Sequence, residues 1–87
     1  MYYIETDLGK ITFETEDITN THFTWNIDYE FNCKNFHTED DDKLYELLKK
    51  YYKPMGVDVK LIDDDYYLNI LTNEFPEKDY LFKVNEM

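Results

Sequence analysis

The sequence predicts an α+β fold in which a single antiparallel β-sheet of about five to six strands packs against one α-helix, in the order β-β-β-α-β-β-β. Two patterns lead to this prediction: strict alternation of apolar and polar residues over 21–36, and one amphipathic segment that begins at Thr38. With 87 residues, the chain is expected to form one acidic domain over 1–87. Nine Tyr, six Phe and one Trp supply large apolar surfaces for its thin core.

The segment YYIETDLGKITFET predicts a β-hairpin whose turn is Leu8-Gly9, where glycine supplies a positive φ. In that register two pairs share one side of the sheet, Ile4 with Phe13 and Thr6 with Ile11. Two further pairs share the other side, Tyr3 with Glu14 and Glu5 with Thr12. The apolar residues then lie together, which supports the hairpin.

After the linker EDITN, the segment THFTWNIDYEFNCKNF predicts one long strand with a solvated face. About twelve alternating residues exceed the usual strand length, which leaves room for a bend or bulge near Asn32 or Asn35. Cys33 lies on the apolar face and is expected to be a small core residue. Asp28 and Glu30 lie on the solvated face, beside Glu5 and Glu14 if the first hairpin pairs with this strand.

The segment TEDDDKLYELLKKYYKPMG predicts the helix, with Thr38 as its N-cap. Four acids, Glu39, Asp40, Asp41 and Asp42, occupy the first turn, where the helix dipole favours negative charge. Four apolar residues are spaced to lie on the sheet, namely Leu44, Leu47, Leu48 and Tyr51. Pro54 and Gly56 are expected to end the helix.

The remaining chain predicts three strands. VDVKLI alternates at Val57, Val59 and Leu61, and Asp63 to Asp65 predict a polar turn. YYLNIL returns as a strand, NEFPEKD predicts a loop around Pro76, and YLFKV predicts the last strand. The strand order cannot be read from the sequence.

The net charge of −11 limits the classes of partner. Twelve acids and three Lys in residues 1–48 give −9, and a field of that sign repels phosphate backbones and attracts basic proteins. The chain contains no Ser and no Arg, which excludes a serine nucleophile and a guanidinium clamp. A single Cys, no apolar run near 20 residues and no signal-peptide pattern predict a cytoplasmic protein that binds neither membrane nor nucleic acid directly.

Neither metal chemistry nor catalysis is predicted. Asp63 to Asp65 resemble the opening of a calcium loop, but Leu68 stands where the loop requires Gly. His22, Cys33 and His37 are too few for a zinc site, and the acidic surroundings raise a thiol pKa instead of lowering it. A domain this small also leaves little room for a deep cleft between paired carboxylates. We therefore expect no catalytic residue, no metal and no cofactor.

An acidic surface with Tyr residues is the candidate functional feature. Carboxylates at strand spacing approximate the separation of phosphates, and Tyr adds rigid contact area at low entropy cost. Such a surface can occupy a nucleic-acid groove lined by Lys and Arg. The predicted partner-binding residues are Tyr3, Glu5, Glu14, Asp28, Glu30, Glu39, Asp40, Asp41, Asp42 and Tyr45.

In size, acidity, Tyr content and α+β class, the whole chain resembles small phage-encoded anti-defence proteins, namely anti-CRISPR proteins and DNA-mimicking anti-restriction proteins. The resemblance is one of overall character and carries over no residue. It implies a stoichiometric inhibitor, monomeric or homodimeric, that binds a CRISPR effector or other nuclease and blocks its nucleic-acid site.

Two alternatives fit the same sequence. An immunity protein or antitoxin would neutralise a basic nuclease toxin through the same charge attraction. An adaptor protein would use its charge for solubility alone, and reversing Asp28 and Glu30 to Lys would then leave partner binding intact.

Overall fold

The structure, a computed structural model, describes residues 1–25, 31–51, 54–72 and 80–87. Within these ranges the fold is α+β, as predicted. In the described residues it has eight strands, four before the helix and four after it, instead of five to six, and they form two sheets instead of one. A short 3₁₀ helix, Ile18–Asn20, lies between the second and third strands. The elements in chain order are β1 Tyr2–Thr6, β2 Gly9–Phe13, β3 His22–Trp25, β4 Phe31–Lys34, α1 Asp41–Leu48, β5 Pro54–Ile62, β6 Asp65–Thr72, β7 Leu81–Lys83 and β8 Asn85–Glu86.

One sheet has the order β2-β1-β8 and the other β4-β3-β5-β6-β7, with every pairing antiparallel. Val84 alone separates β7 from β8, so the chain passes from one sheet to the other there. At the opposite corner, the Glu14 N–H donates to the His37 carbonyl at 2.7 Å, and the His37 N–H donates to the Glu14 carbonyl at 3.0 Å. An eight-residue helix is only about 12 Å long. It cannot cover a single wide sheet, and the second sheet covers the rest.

Both sheets and α1 contribute to one core. Phe36, which follows β4, links the sheets, because its ring stacks on Phe13 at 5.1 Å and lies 5.2 Å from Phe23 between centroids. Tyr2 extends this row by stacking on Phe13 at 5.7 Å. The buried apolar residues are Ile4, Ile11, Phe13, Phe23, Trp25, Phe36, Leu44, Leu47, Leu48, Val57, Leu68 and Ile70.

The first hairpin is confirmed, with a different register. Three of its pairs are Ile4 with Ile11, Tyr3 with Thr12 and Glu5 with Lys10. The turn is Asp7-Leu8, followed by Gly9 at φ +101. A shift of two residues leaves every side chain on its predicted face. Glu5 consequently lies opposite a lysine.

The prediction of one long strand is wrong, because the segment forms the antiparallel pair β3 and β4. Phe23 is the register partner of Cys33, and His22 is the partner of Lys34. The two strands are joined by five residues, so odd-numbered residues of β3 face odd-numbered residues of β4. The alternation of apolar and polar residues is therefore the same as in one continuous strand. β3 pairs with β5 on its other side and not with the first hairpin, so Glu5 does not pair with this segment. Glu14 contacts the chain just after it, at His37. Asp28 and Glu30 lie outside the described residues.

Helix α1 is shorter than predicted. Leu44, Leu47 and Leu48 are buried as expected. The N-cap is Asp40, not Thr38, and Pro54 and Gly56 belong to β5 instead of the end of the helix. Tyr51 lies beyond the helix and makes an edge contact with Tyr80, with centroids 4.3 Å apart.

β5 and β6 form the longest hairpin. Its turn is Asp63-Asp64, with φ of 50° and 70°, the left-handed values that a two-residue hairpin turn favours. The predicted polar turn is thus confirmed, although Asp65 already belongs to β6. Val57 is fully buried, whereas Leu61, near the hairpin tip, is 60 % exposed. The predicted loop around Pro76 lies outside the described residues.

Candidate acidic interface

Two adjoining clefts lie where Glu14 and His37 join the two sheets. The larger has a volume of about 730 Å³, and three exposed carboxylates, Glu14, Glu16 and Asp17, line it together with Met1, Asn20, Asn35 and Phe36. The smaller, of about 60 Å³, is lined by Glu14 and the exposed Glu39. No Lys lines either cleft among the described residues. We name Glu14, Glu16, Asp17 and Glu39 the acidic seam.

Hydrogen bonds fix the backbone of the seam. Asn35, at φ +57, accepts from the Glu16 N–H at 2.9 Å and donates through Nδ2 to the Asp17 carbonyl at 2.6 Å. The buried Thr21 hydroxyl donates to the same carbonyl at 2.8 Å. Asp17 caps the 3₁₀ helix by accepting from the Thr19 N–H at 3.1 Å. The backbone at Glu16 and Asp17 is therefore fixed before any partner binds.

Asp40 connects the start of α1 to the outer edge of β2 in the first hairpin. Its Oδ2 accepts from the Thr12 N–H at 2.8 Å and from the Thr12 hydroxyl at 2.9 Å. The backbone bond and then the hydroxyl bond hold the pKa of Asp40 below its usual range, with Lys43 adding a smaller effect. Thr38 completes the junction, because its hydroxyl donates to the Thr12 carbonyl at 2.6 Å. Asp40 is thus a structural carboxylate.

Replacing Asp40 by Asn is expected to lower the free energy of unfolding by about 1–2 kcal/mol at neutral pH, because the hydrogen bonds from Thr12 lose their charge assistance. The folded pKa of Asp40 lies below its unfolded value. The interaction therefore stabilises the protein above the unfolded pKa of about 3.9, and it is lost as the pH falls through the folded pKa. Urea unfolding across this pH range should show the difference from the parent protein shrinking in acid.

The control for that measurement is Asp42→Asn, at an exposed acid in the same helix turn. It removes an equal charge and a similar dipole interaction without the bonds to Thr12. An equal effect of the two substitutions at every pH would contradict the role given to Asp40.

The other predicted site residues differ in how accessible their side chains are to a partner. Five acids are exposed, namely Glu5, Glu14, Glu39, Asp41 and Asp42. The two Tyr are half-buried and engaged: Lys10 Nζ lies 4.2 Å from the centre of the Tyr3 ring, and the Tyr45 ring stacks on Trp25 at 5.3 Å. Tyr45 also has Lys49 Nζ 4.3 Å from its ring centre. These rings support the fold more than they offer a free contact surface.

The sequence pattern places Glu16 and Asp17 in a linker and does not indicate them as candidate site residues. The signal was local: Asp two residues before Thr is typical of a side-chain turn, and Asp17 Oδ1 also accepts from the Thr19 hydroxyl at 2.6 Å. What the sequence could not show is that the chain after β4 returns to this loop through Asn35.

Cys33 is exposed, which corrects the prediction of a core residue. The reason is that β4 is the outer strand of its sheet, so its inward face reaches the rim of the core. Cys33, His37 and Asp41 line a cavity of about 220 Å³ whose apolar walls include Phe23 and Leu44. Desolvation, and then the charge of Asp41, raise the pKa of the Cys33 thiol. A cysteine nucleophile requires the opposite shift.

No family model matches the chain, and no curated protein or solved structure is significantly similar to it. Over the described ranges, no helix combines the length and apolar character needed to cross a membrane. The same ranges contain no group of three or more His, Cys, Asp or Glu arranged to hold a metal ion. The features of the described residues that bear on function are therefore the shape and the charge of their surface.

Proposed function

We propose that this protein is a stoichiometric inhibitor of a nucleic-acid-binding enzyme, a CRISPR effector or other defence nuclease. Its acidic surface occupies the basic groove in which that enzyme binds nucleic acid. The observation that carries the proposal is the acidic seam, four exposed carboxylates around two adjoining clefts that no Lys lines within the described chain.

Pre-organisation supports this function. A surface that replaces nucleic acid must present its negative charges without first ordering a loop, because ordering reduces the affinity. Asn35, Thr21 and the Asp17 cap fix the loop of the seam through hydrogen bonds between their side chains and the backbone. Asp40 likewise fixes the start of α1, which places Glu39 beside Glu14.

The charge distribution also supports it. The net charge of −11 exceeds the roughly 2–8 units that serve solubility in a small domain. A field of this size accelerates association with a basic protein by about 10- to 1000-fold at low salt, and the effect falls steeply with ionic strength. Inhibition should therefore depend on salt.

The proposal is tested by immobilising the protein and passing over it a lysate of a CRISPR-bearing bacterium, with elution by a salt gradient. We expect one nuclease or CRISPR effector to elute at moderate salt. Titration of that enzyme in a cleavage assay should then reach full inhibition at one equivalent of the protein. Capture of no nuclease, or a captured nuclease that remains fully active, would contradict the proposal.

A further inference from the structure

The outer strands β2 and β4 differ in whether side chains occupy their edges. The outer edge of β2 is occupied by side chains: Asp40 accepts from the Thr12 N–H, Thr38 donates to the Thr12 carbonyl, and Lys43 Nζ donates to the Lys10 carbonyl at 3.3 Å. Contacts of this kind prevent another strand from pairing with a sheet edge. β2 is therefore closed to a partner.

Over residues 1–25, 31–51, 54–72 and 80–87, no strand pairs with the outer edge of β4, which we call the open edge. Asn32, Cys33 and Lys34 are exposed, and within the described chain their backbone partners lie in β3 alone. Every second residue of such a strand turns its N–H and C=O away from the sheet. The left-handed Asn35 then carries the chain away toward the bridge at His37.

A cavity adjoins this open edge. It has a volume of about 220 Å³, and Cys33 shares it with Phe23, Phe36 and Leu44, whose side chains are buried and apolar. Asp41, at the start of α1, is also part of the lining and is the charged residue in it. The open edge and the cavity thus combine backbone hydrogen-bonding groups with a pocket for one apolar side chain.

We propose that β4 binds an extended, basic segment of the partner protein as an additional strand, with one apolar side chain of that segment in the cavity. This inference rests on the proposed binding of a basic partner and adds how one segment of it is held. On an added strand, the residue opposite Cys33 points to the same face, about 4.5–5.5 Å away between Cβ atoms. Cys33 is also part of the cavity lining, so this face is the one that the cavity adjoins.

Net charge favours a basic segment over a second copy of this chain as the strand added to β4. A second copy of this chain would bring another −11 to the same edge, and a four-residue strand offers few hydrogen bonds to offset that repulsion. A segment with Lys or Arg on its outward positions gains from the net negative charge of the protein. Asp41 lies on the cavity side of the sheet and Lys34 on the outward side, so the gain comes from the overall field and not from one carboxylate. The alternating pattern basic, apolar, basic meets both demands, as in other cases of strand addition.

The probe is the fluorescently labelled peptide KVKVKVK, blocked at both ends. Its control has the same sequence with N-methyl groups on three consecutive central residues, which removes backbone donors from both edges and keeps the charge. We expect the methylated peptide to bind about 10-fold more weakly, because it cannot form the strand hydrogen bonds.

The second readout is alkylation of Cys33, the single cysteine, by iodoacetamide at about pH 8.5. Saturating KVKVKVK should slow the reaction at least about fivefold, because the added strand covers the thiol, whereas KTKTKTK at equal concentration should protect less. Equal binding of the parent and methylated peptides, no binding of either, or binding without protection of Cys33 would each overturn the inference. Failure of the proposed function would appear separately, as the absence of salt-sensitive capture and inhibition of a nuclease.

Discussion

Replacing Gly56 by Ala is expected to lower the free energy of unfolding by about 3 kcal/mol or more. Gly56 has φ +148, a conformation that L-residues with side chains rarely adopt. A Cβ at this position would lie 2.1 Å from the Phe23 carbonyl oxygen and 2.8 Å from the Thr24 Cα. Both neighbours are backbone atoms of β3, the register partner of β5, so neither can rotate away.

The measurement is urea unfolding followed by tryptophan fluorescence, since the single tryptophan, Trp25, lies in β3. Gly9→Ala is the matched control. Gly9 also has a positive φ, +101, but the nearest atom to its Cβ would be Lys43 Nζ at 3.9 Å. Gly9→Ala should therefore lower the free energy of unfolding by only about 1–2 kcal/mol, from conformational strain alone. Equal effects of the two substitutions would show that β3 and β5 do not approach as closely as described.

Reversing three seam carboxylates together, Glu14→Lys, Glu16→Lys and Glu39→Lys, is expected to weaken inhibition of the captured nuclease by about 100-fold or more. Each new lysine would face the cations of the basic groove. All three positions are exposed, so folding should be preserved. The measurement is the concentration of protein that gives half-maximal inhibition of cleavage, at two salt concentrations.

The matched control reverses three exposed acids that line neither cleft, Asp7, Glu46 and Asp65. Each reversal adds two charges, so both triple variants have a net charge of −5 instead of −11. Asp7 and Glu46 lose surface ion pairs with Lys50 and Lys49, and each loss costs at most about 1 kcal/mol. If the control weakened inhibition as much as the seam variant, net charge and not the seam would be responsible.

The sequence predicted well those parts of the fold that depend on local pattern. The first hairpin, the buried leucines of α1 and the turn at Asp63-Asp64 all follow from spacing and turn chemistry. The sequence-based prediction was wrong for residues 21–36, because two different structures give the same alternating pattern there. Alternation over 21–36 is the same for one long strand and for two strands joined by five residues, because an odd connection preserves the parity.

The negative charge of the candidate site was predictable from the sequence, and its geometry was not. Acidity pointed to Glu14 and Glu39, yet it gave equal weight to Asp40, whose carboxylate is committed to Thr12. It also missed Glu16 and Asp17, because their positions depend on contacts with Asn35, 18 or 19 residues later in the chain. Long-range hydrogen bonds of this kind leave no periodic signal in a sequence.

The proposed inhibition requires this protein and nucleic acid to compete for the same groove of the nuclease. The most direct test adds the protein to the captured nuclease bound to fluorescently labelled nucleic acid, and follows the anisotropy of the label. We predict complete displacement near one equivalent of the protein at low salt, and none by the Glu14, Glu16 and Glu39 reversal variant at that concentration. A nuclease that is inhibited while it still holds the labelled nucleic acid would contradict the account.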